Sequence, residues 1–292
     1  MKLDGIIVPI VTPFGADGGV DLDVLRTLVG KFLDAGAGGI VACGTTGEYY
    51  ALNETERDSV LRTVREALGD RALPIAGINS LSTAEAVVRA SQAEELDYQV
   101  LMLAPPAYAL PTQDEIVAHY EEVAANTKLP IILYNFPART AVNIEVETVR
   151  RLAKMPQIIG IKESSGDFSR AIELMQLTDD GFQVVCGSDD QAADYLFWGV
   201  RSWISGGANV FPAEQAQMLK AAEQGDWDRV RTIMLAMLPA IQDMEGGDYN
   251  QKAKLGCARH GVDVGPVRAP LRPVSDADAQ VFIDALKGVD QQ

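Results

Sequence analysis

The sequence predicts a (β/α)8 barrel followed by a helical extension. Three observations carry this reading: eight short β-rich runs alternate with amphipathic helical segments, most of those runs are continuously apolar, and after the eighth the pattern becomes helix alone. Alternation of strand and helix implies right-handed parallel crossovers. Continuous apolar runs are expected where both faces of a sheet are covered. Eight such units suggest closure into a barrel. An open, doubly wound sheet is the rival, but no phosphate-loop fingerprint supports it.

The elements follow in order. Candidate strands are Gly5 to Val11, Gly39 to Cys43, Pro74 to Ile78, Val100 to Ala104, Ile131 to Asn135, Ile158 to Glu163, Gln183 to Gly187 and Ser202 to Ser205. Between them, Leu22 to Ala35, Glu54 to Leu68, Ser82 to Glu95, Gln113 to Thr127 and Glu145 to Lys154 carry helical patterning. Beyond the last strand, helices are expected at Pro212 to Gln224, Trp227 to Met244, Asn250 to His260 and Asp276 to Leu286. One of these is the eighth barrel helix. Gly225-Asp226 reads as a break, which sets the expected organisation at 1–224 for the barrel and 225–292 for a C-terminal helical bundle.

Composition narrows the function classes. At 292 residues, with 47% hydrophobic and 23% charged residues, the chain can bury one large core. A formal charge of -16 argues against general affinity for nucleic acid or anionic membranes. Cys43, Cys186 and Cys257 are widely spaced, as suits buried thiols in a reducing compartment. No leader pattern stands at Met1-Lys2-Leu3 and no apolar run approaches membrane-helix length, so a soluble cytoplasmic protein is expected.

In a barrel the chemistry sits at the carboxyl ends of the strands. There the sixth run, Ile158-Ile159-Gly160-Ile161-Lys162-Glu163, delivers an amine from an apolar strand. Burial disfavours an ammonium ion, and a neutral lysine is the nucleophile that Schiff-base chemistry on a carbonyl needs. Equally, such a lysine can snorkel to solvent. The fifth run ends Tyr134-Asn135-Phe136-Pro137-Ala138-Arg139-Thr140 on a neighbouring strand. Tyr134 can pass a proton or simply pack its ring, and Arg139 can grip a carboxylate or pair with a surface acid.

Other strand ends are less specific. Gly44-Thr45-Thr46-Gly47-Glu48 could hold a carboxylate on hydroxyls and amides, or be ordinary turn chemistry. Tyr108 lies in a proline-constrained loop of the kind found at subunit contacts. Gly187-Ser188-Asp189-Asp190 and Ser205-Gly206-Gly207 occupy the position that binds phosphate in some barrels, with only Arg201 nearby as a cation. His119 and His260 fall in outer helices and read as surface or packing residues. No metal-ligand spacing or serine elbow occurs, so an enzyme without metal is expected.

Together, Gly44-Thr45-Thr46-Gly47-Glu48, the Tyr134 to Thr140 segment and Ile161-Lys162-Glu163-Ser164-Ser165-Gly166-Asp167 resemble the dihydrodipicolinate synthase and N-acetylneuraminate lyase family. The resemblance runs from Val11-Thr12-Pro13-Phe14 to Gly265-Pro266-Val267-Arg268-Ala269-Pro270-Leu271, with motif order and spacing preserved. It implies that Lys162 forms an imine with pyruvate or another 2-oxo acid, with Tyr134, Thr45 and Tyr108 as a proton relay. It further implies that Thr46 and the backbone around Gly47, Ile204 and Gly206 hold the oxo acid's carboxylate, and that no cofactor is used. A homotetramer built from tight dimers is implied too, with Tyr108 reaching into the neighbouring subunit's site.

Within that family, an arginine at the place of Arg139 is typical of synthases that condense pyruvate with aspartate semialdehyde in lysine biosynthesis. The sugar-acid lyases generally lack it. Departures are visible at Gly77-Ile78-Asn79-Ser80 and at Tyr49 and Tyr50, where small residues are common. Glu54, Arg57, Leu81 and Ala107 also differ from the lysine-inhibited form, with only Glu85 matching, which argues against lysine feedback. Alternatives are a catabolic aldolase or dehydratase of 2-oxo-3-deoxy sugar acids or hydroxyproline-derived acids, and, more remotely, a noncatalytic oxo-acid sensor.

Overall fold

A computed structural model of the chain describes residues 3–177 and 181–290. The first half of the barrel contains β1 (Gly5–Pro9), α1 (Leu22–Asp34), β2 (Gly39–Ala42), α2 (Glu54–Leu68), β3 (Leu73–Gly77), α3 (Thr83–Glu95), β4 (Val100–Leu103) and α4 (Gln113–Ala125). The second half contains β5 (Ile131–Asn135), a one-turn α5 (Pro137–Thr140), α6 (Val146–Leu152), β6 (Ile158–Glu163), α7 (Phe168–Met175), β7 (Gln183–Cys186), α8 (Ala192–Phe197), β8 (Ser202–Ile204) and α9 (Pro212–Glu223). Then follow α10 (Trp227–Glu245), α11 (Tyr249–Gly256) and α12 (Asp276–Asp290).

All eight strands pair in parallel and in sequence order, and β1 closes on β8. The predicted barrel is therefore the observed one. Every predicted strand is present, with ends shifted by two residues at most. Helices α7 and α8 were not among the segments named from the sequence; α8, of 6 residues, spans too few turns for a clear period, whereas α7 does carry an apolar face and its Asp167 cap. Of the four helices expected after β8, α9 closes the barrel and the other three form the extension.

Local chemistry explains where the helices begin. Asp21, Ser82, Asp167 and Asp226 accept from backbone amides of the first turns of α1, α3, α7 and α10. Asn53 with Glu56, and Thr112 with Glu115, make reciprocal capping boxes at α2 and α4.

The core is divided in two. A large apolar layer lies between strands and helices, and includes Leu25, Leu28, Phe32, Val60 and Tyr120. A smaller one fills the barrel lumen with Ile7, Val41, Ile75, Met102, Ile132, Val185 and Ile204, and Tyr134 lies at its carboxyl end. A register shift between Ile131 and Ile132 brings Tyr134 opposite Lys162 on the adjoining strand. No helix among the described residues is long and apolar enough to cross a membrane.

Candidate active site

Strand alternation decides what β6 offers to each side. Glu163 turns outward, fully buried, where its carboxylate pairs with Arg170 Nε at 3.0 Å and accepts from Asn135 Nδ2 and the Ser165 amide. Lys162 turns toward the lumen. It is only 6% exposed, so it does not snorkel, and its Nζ sits 4.3 Å from the centroid of the Tyr134 ring. Among the described residues no carboxylate forms an ion pair with it. Space for its stem depends on Gly187: a Cβ there would lie 2.9 Å from Lys162 Cγ and collide with Ser164 Oγ.

Lys162 opens onto a cavity of about 470 Å³ whose walls include Thr45, Thr46, Tyr134, Arg139 and Gly206. A second cavity of about 320 Å³ shares Thr45, Tyr134, Arg139 and Asn250 with it and extends to Tyr49, Tyr50, Asn79 and Ser80. Arg139 is exposed on these walls and stacks loosely on Phe136, with 5.9 Å from Cζ to the ring centroid. Like Lys162, it has no acidic partner among the described residues. No surface acid among the described residues pairs with Arg139.

Gly47, Ile204 and Tyr108 are not among the residues that line these two cavities, though the expectation for Ile204 concerned its backbone and that for Tyr108 a neighbouring subunit. Gly47 is pressed against the Ile10 carbonyl, 2.8 Å from where its Cβ would be, and its own carbonyl accepts from Thr12 Oγ1 at 2.7 Å. The Ile204 side chain belongs to the lumen core. Tyr108 lines neither cavity; it is 93% exposed with φ of 68°, a conformation uncommon for an aromatic residue. His119 and His260 are packing residues, as expected: His119 Nδ1 lies 2.9 Å from Thr83 Oγ1, and His260 Nε2 lies 2.9 Å from the Asn209 carbonyl. Burial lowers the His119 pKa to about 4. No group of three or more potential metal ligands occurs among the described residues.

The extension contributes residues that sequence reasoning missed. From α11, Asn250 Nδ2 donates to the Thr45 carbonyl at 3.2 Å and to the Tyr50 hydroxyl at 3.0 Å. Lys254 Nζ reaches Glu48 Oε1 at 2.8 Å and the Pro266 carbonyl at 2.7 Å, and it lies over the Phe14 ring. The Arg268 amide donates to the other Glu48 oxygen at 3.0 Å. These contacts hold Glu48 in a left-handed backbone conformation, φ 53°, and so fix the Thr45-Thr46 turn.

The opposite wall is held in the same way. Asp189 accepts from Trp203 Nε1 at 2.9 Å, the Gly207 amide at 2.8 Å and the Tyr249 hydroxyl at 2.9 Å. With Gly207's amide already occupied by a carboxylate, the turn after β8 is not a phosphate cradle. Gly206 has no side chain because Tyr249's hydroxyl fills that space. Burial, reinforced by Asp189 and Asp190, raises the pKa of Glu245 on the same cavity to about 8. No local pattern marks these contacts, since their partners are remote in sequence.

Comparison with known proteins now bears on this site. Residues 2–289 match the model of the dihydrodipicolinate synthetase family. The chain belongs to that family. A 4-hydroxy-tetrahydrodipicolinate synthase of Syntrophus aciditrophicus is 37% identical over 276 residues, covering 94% of each chain. The 4-hydroxy-tetrahydrodipicolinate synthase of Methylacidiphilum fumariolicum superposes with a TM-score of 0.95 at 30% identity, covering 99% of this chain and 97% of that one. A chloride-inhibited dihydrodipicolinate synthase from Acinetobacter baumannii, solved with pyruvate, gives a TM-score of 0.95 at 31% identity over 99% of both chains. Membership of the family makes the protein a lyase-type enzyme on a barrel of this kind.

Proposed function

We propose that the protein is a 4-hydroxy-tetrahydrodipicolinate synthase, joining pyruvate to aspartate semialdehyde. One observation carries the proposal: in a chain of net charge -16, the Lys162 amine and the Arg139 guanidinium, neither with an acidic partner among the described residues, line one cavity. A substrate pair bearing a ketone and carboxylates matches them. Lys162 Nζ attacks the ketone carbon of pyruvate, and loss of water leaves an iminium. That cation is an electron sink, so a methyl proton can leave and the resulting enamine carbon attacks the aldehyde.

The proton transfers at this centre are assigned to the Tyr134 hydroxyl, a reading supported by the closeness of its ring to the amine. Thr45 shares both cavities with it. Thr46 and neighbouring amides are assigned to the pyruvate carboxylate, and Arg139 to the carboxylate of the aldehyde.

The exposed, conformationally restrained Tyr108 supports assembly into tight dimers, where it would complete the relay of the neighbouring site, and into a homotetramer. Three buried free thiols suit a cytoplasmic location. The break at Gly225 supports a boundary at 224/225, with the extension serving as a clamp on the barrel mouth.

Initial rates with pyruvate and aspartate semialdehyde, set against a panel of 2-oxo-3-deoxy acids, test this reading. Turnover is expected with aspartate semialdehyde. Cleavage of a sugar acid at a higher kcat/KM would replace the proposal with a catabolic aldolase.

A further inference from the structure

Among the described residues, the Tyr50 hydroxyl proton has no acceptor. The side-chain nitrogen of Asn250 contacts both the Thr45 carbonyl and the Tyr50 hydroxyl. A backbone carbonyl can only accept, so the side chain must present its NH2 group to this side. The Tyr50 oxygen is therefore an acceptor from Asn250, and its own proton remains available. No other hydrogen bond involves that hydroxyl among the described residues.

The surroundings indicate where that proton is used. Tyr50 is 48% exposed and lines the 320 Å³ cavity together with Arg139, whose charge acts on the phenol. Its ring is braced edge-on by Tyr49, with centroids 5.6 Å apart. Burial, followed by the nearby Glu48 charge, raises the phenol's pKa, so the group stays a donor at neutral pH. A fixed donor beside an unpaired guanidinium is a two-point receptor for a carboxylate.

We propose that Tyr50 is a specificity-determining residue that, together with Arg139, binds the carboxylate of the aldehyde substrate. The assignment rests on the functional reading above and deepens it: it defines the second substrate as an aldehyde with a carboxylate and predicts rejection of neutral analogues. A site built to hydrogen-bond a group discriminates strongly against ligands that lack it.

Tyr50→Phe removes only the donor and keeps the ring. KM for aspartate semialdehyde is expected to rise about tenfold or more, the effect of one hydrogen bond to a charged group. KM for the same aldehyde with its carboxylate converted to an amide should rise by a clearly smaller factor, about two- to fourfold, because the amide oxygen loses only a neutral hydrogen bond. Trapping of pyruvate on Lys162 by borohydride, run on both proteins, separates the two levels of the argument. Labelled Lys162 with unchanged or equally changed KM values for acid and amide overturns the Tyr50 assignment alone. An unlabelled wild-type protein overturns the assignment and the function beneath it.

Discussion

Two regions of this molecule each bury a lysine to nearly the same depth and put it to opposite ends. In the barrel lumen Lys162 is 6% exposed; in the seam between barrel and extension Lys254 is 4% exposed. Lys254 has Glu48 at 2.8 Å, the Pro266 carbonyl and the Phe14 ring around it, so every direction of its ammonium group is answered. Lys162 has an aromatic face and an open cavity, and no carboxylate among the described residues comes within ion-pair distance of it although Asp189, Asp190 and Glu245 line the same cavity. Burial alone therefore does not identify a reactive amine. What distinguishes the two is whether the protein itself supplies the counter-charge. A paired ammonium stabilises a junction, whereas an amine that faces an open cavity with no carboxylate in ion-pair reach is reserved for a ligand.

The sharpest way to break this comparison is to exchange the lysines for neutral residues. Lys162→Ala should reduce kcat by at least about 10³-fold, as removal of a covalent nucleophile does, while the midpoint of urea denaturation stays close to wild type. Lys254→Met should do the reverse at the level of stability. It strands the Glu48 carboxylate, fully buried, and removing one partner of such a pair destabilises by about 3–5 kcal/mol. Urea denaturation measures the loss, and adding Glu48→Gln should recover part of it.

Arg139 extends the comparison to the second unpaired cation. Arg139→Gln is expected to raise KM for aspartate semialdehyde by about 10- to 100-fold, the range of a hydrogen bond between charged groups, while pyruvate still forms its adduct at Lys162. Steady-state kinetics varied in each substrate separates the two effects. An equal rise in both KM values would instead place Arg139 on the pyruvate carboxylate.

His119 gives the smallest effect and a different kind of control. It is a buried base with a hydroxyl partner and no acid, and its pKa falls from 6.5 to about 4 on burial. A histidine whose folded pKa is depressed stabilises the fold fully above its unfolded value, and that contribution is lost as pH falls toward the folded value. Wild-type stability should therefore decline between about pH 6.5 and 4, and His119→Phe should flatten that part of the profile. Thermal melts across this range supply the test.

How much of this was legible in the sequence depends on the range of the interaction. The strands were legible because residues buried on both faces leave continuous apolar runs, and Lys162, Tyr134 and Arg139 were legible because a barrel places its chemistry where strands end. Helix α8, of 6 residues, was too short to show a period, whereas α7 had a legible apolar face and cap that went unread. Asn250 was not legible at all, since its partner Thr45 lies 205 positions away. The same holds for Lys254 with Glu48 and for Tyr249 with Asp189. That no acid among the described residues pairs with Arg139 could not be read either, because it is a property of what folding leaves out of reach. Tyr50 was visible only as a departure in size, and the hydrogen bond from Asn250 turned it into a question of which proton is free.

The most direct test of the central claim is the site of covalent capture. After incubation with pyruvate and reduction with borohydride, peptide mapping by mass spectrometry should find a single 1-carboxyethyl group, on Lys162 and not on Lys254. A protein that turns over its substrates while Lys162 stays unmodified, or that carries the label on another lysine, would contradict the account.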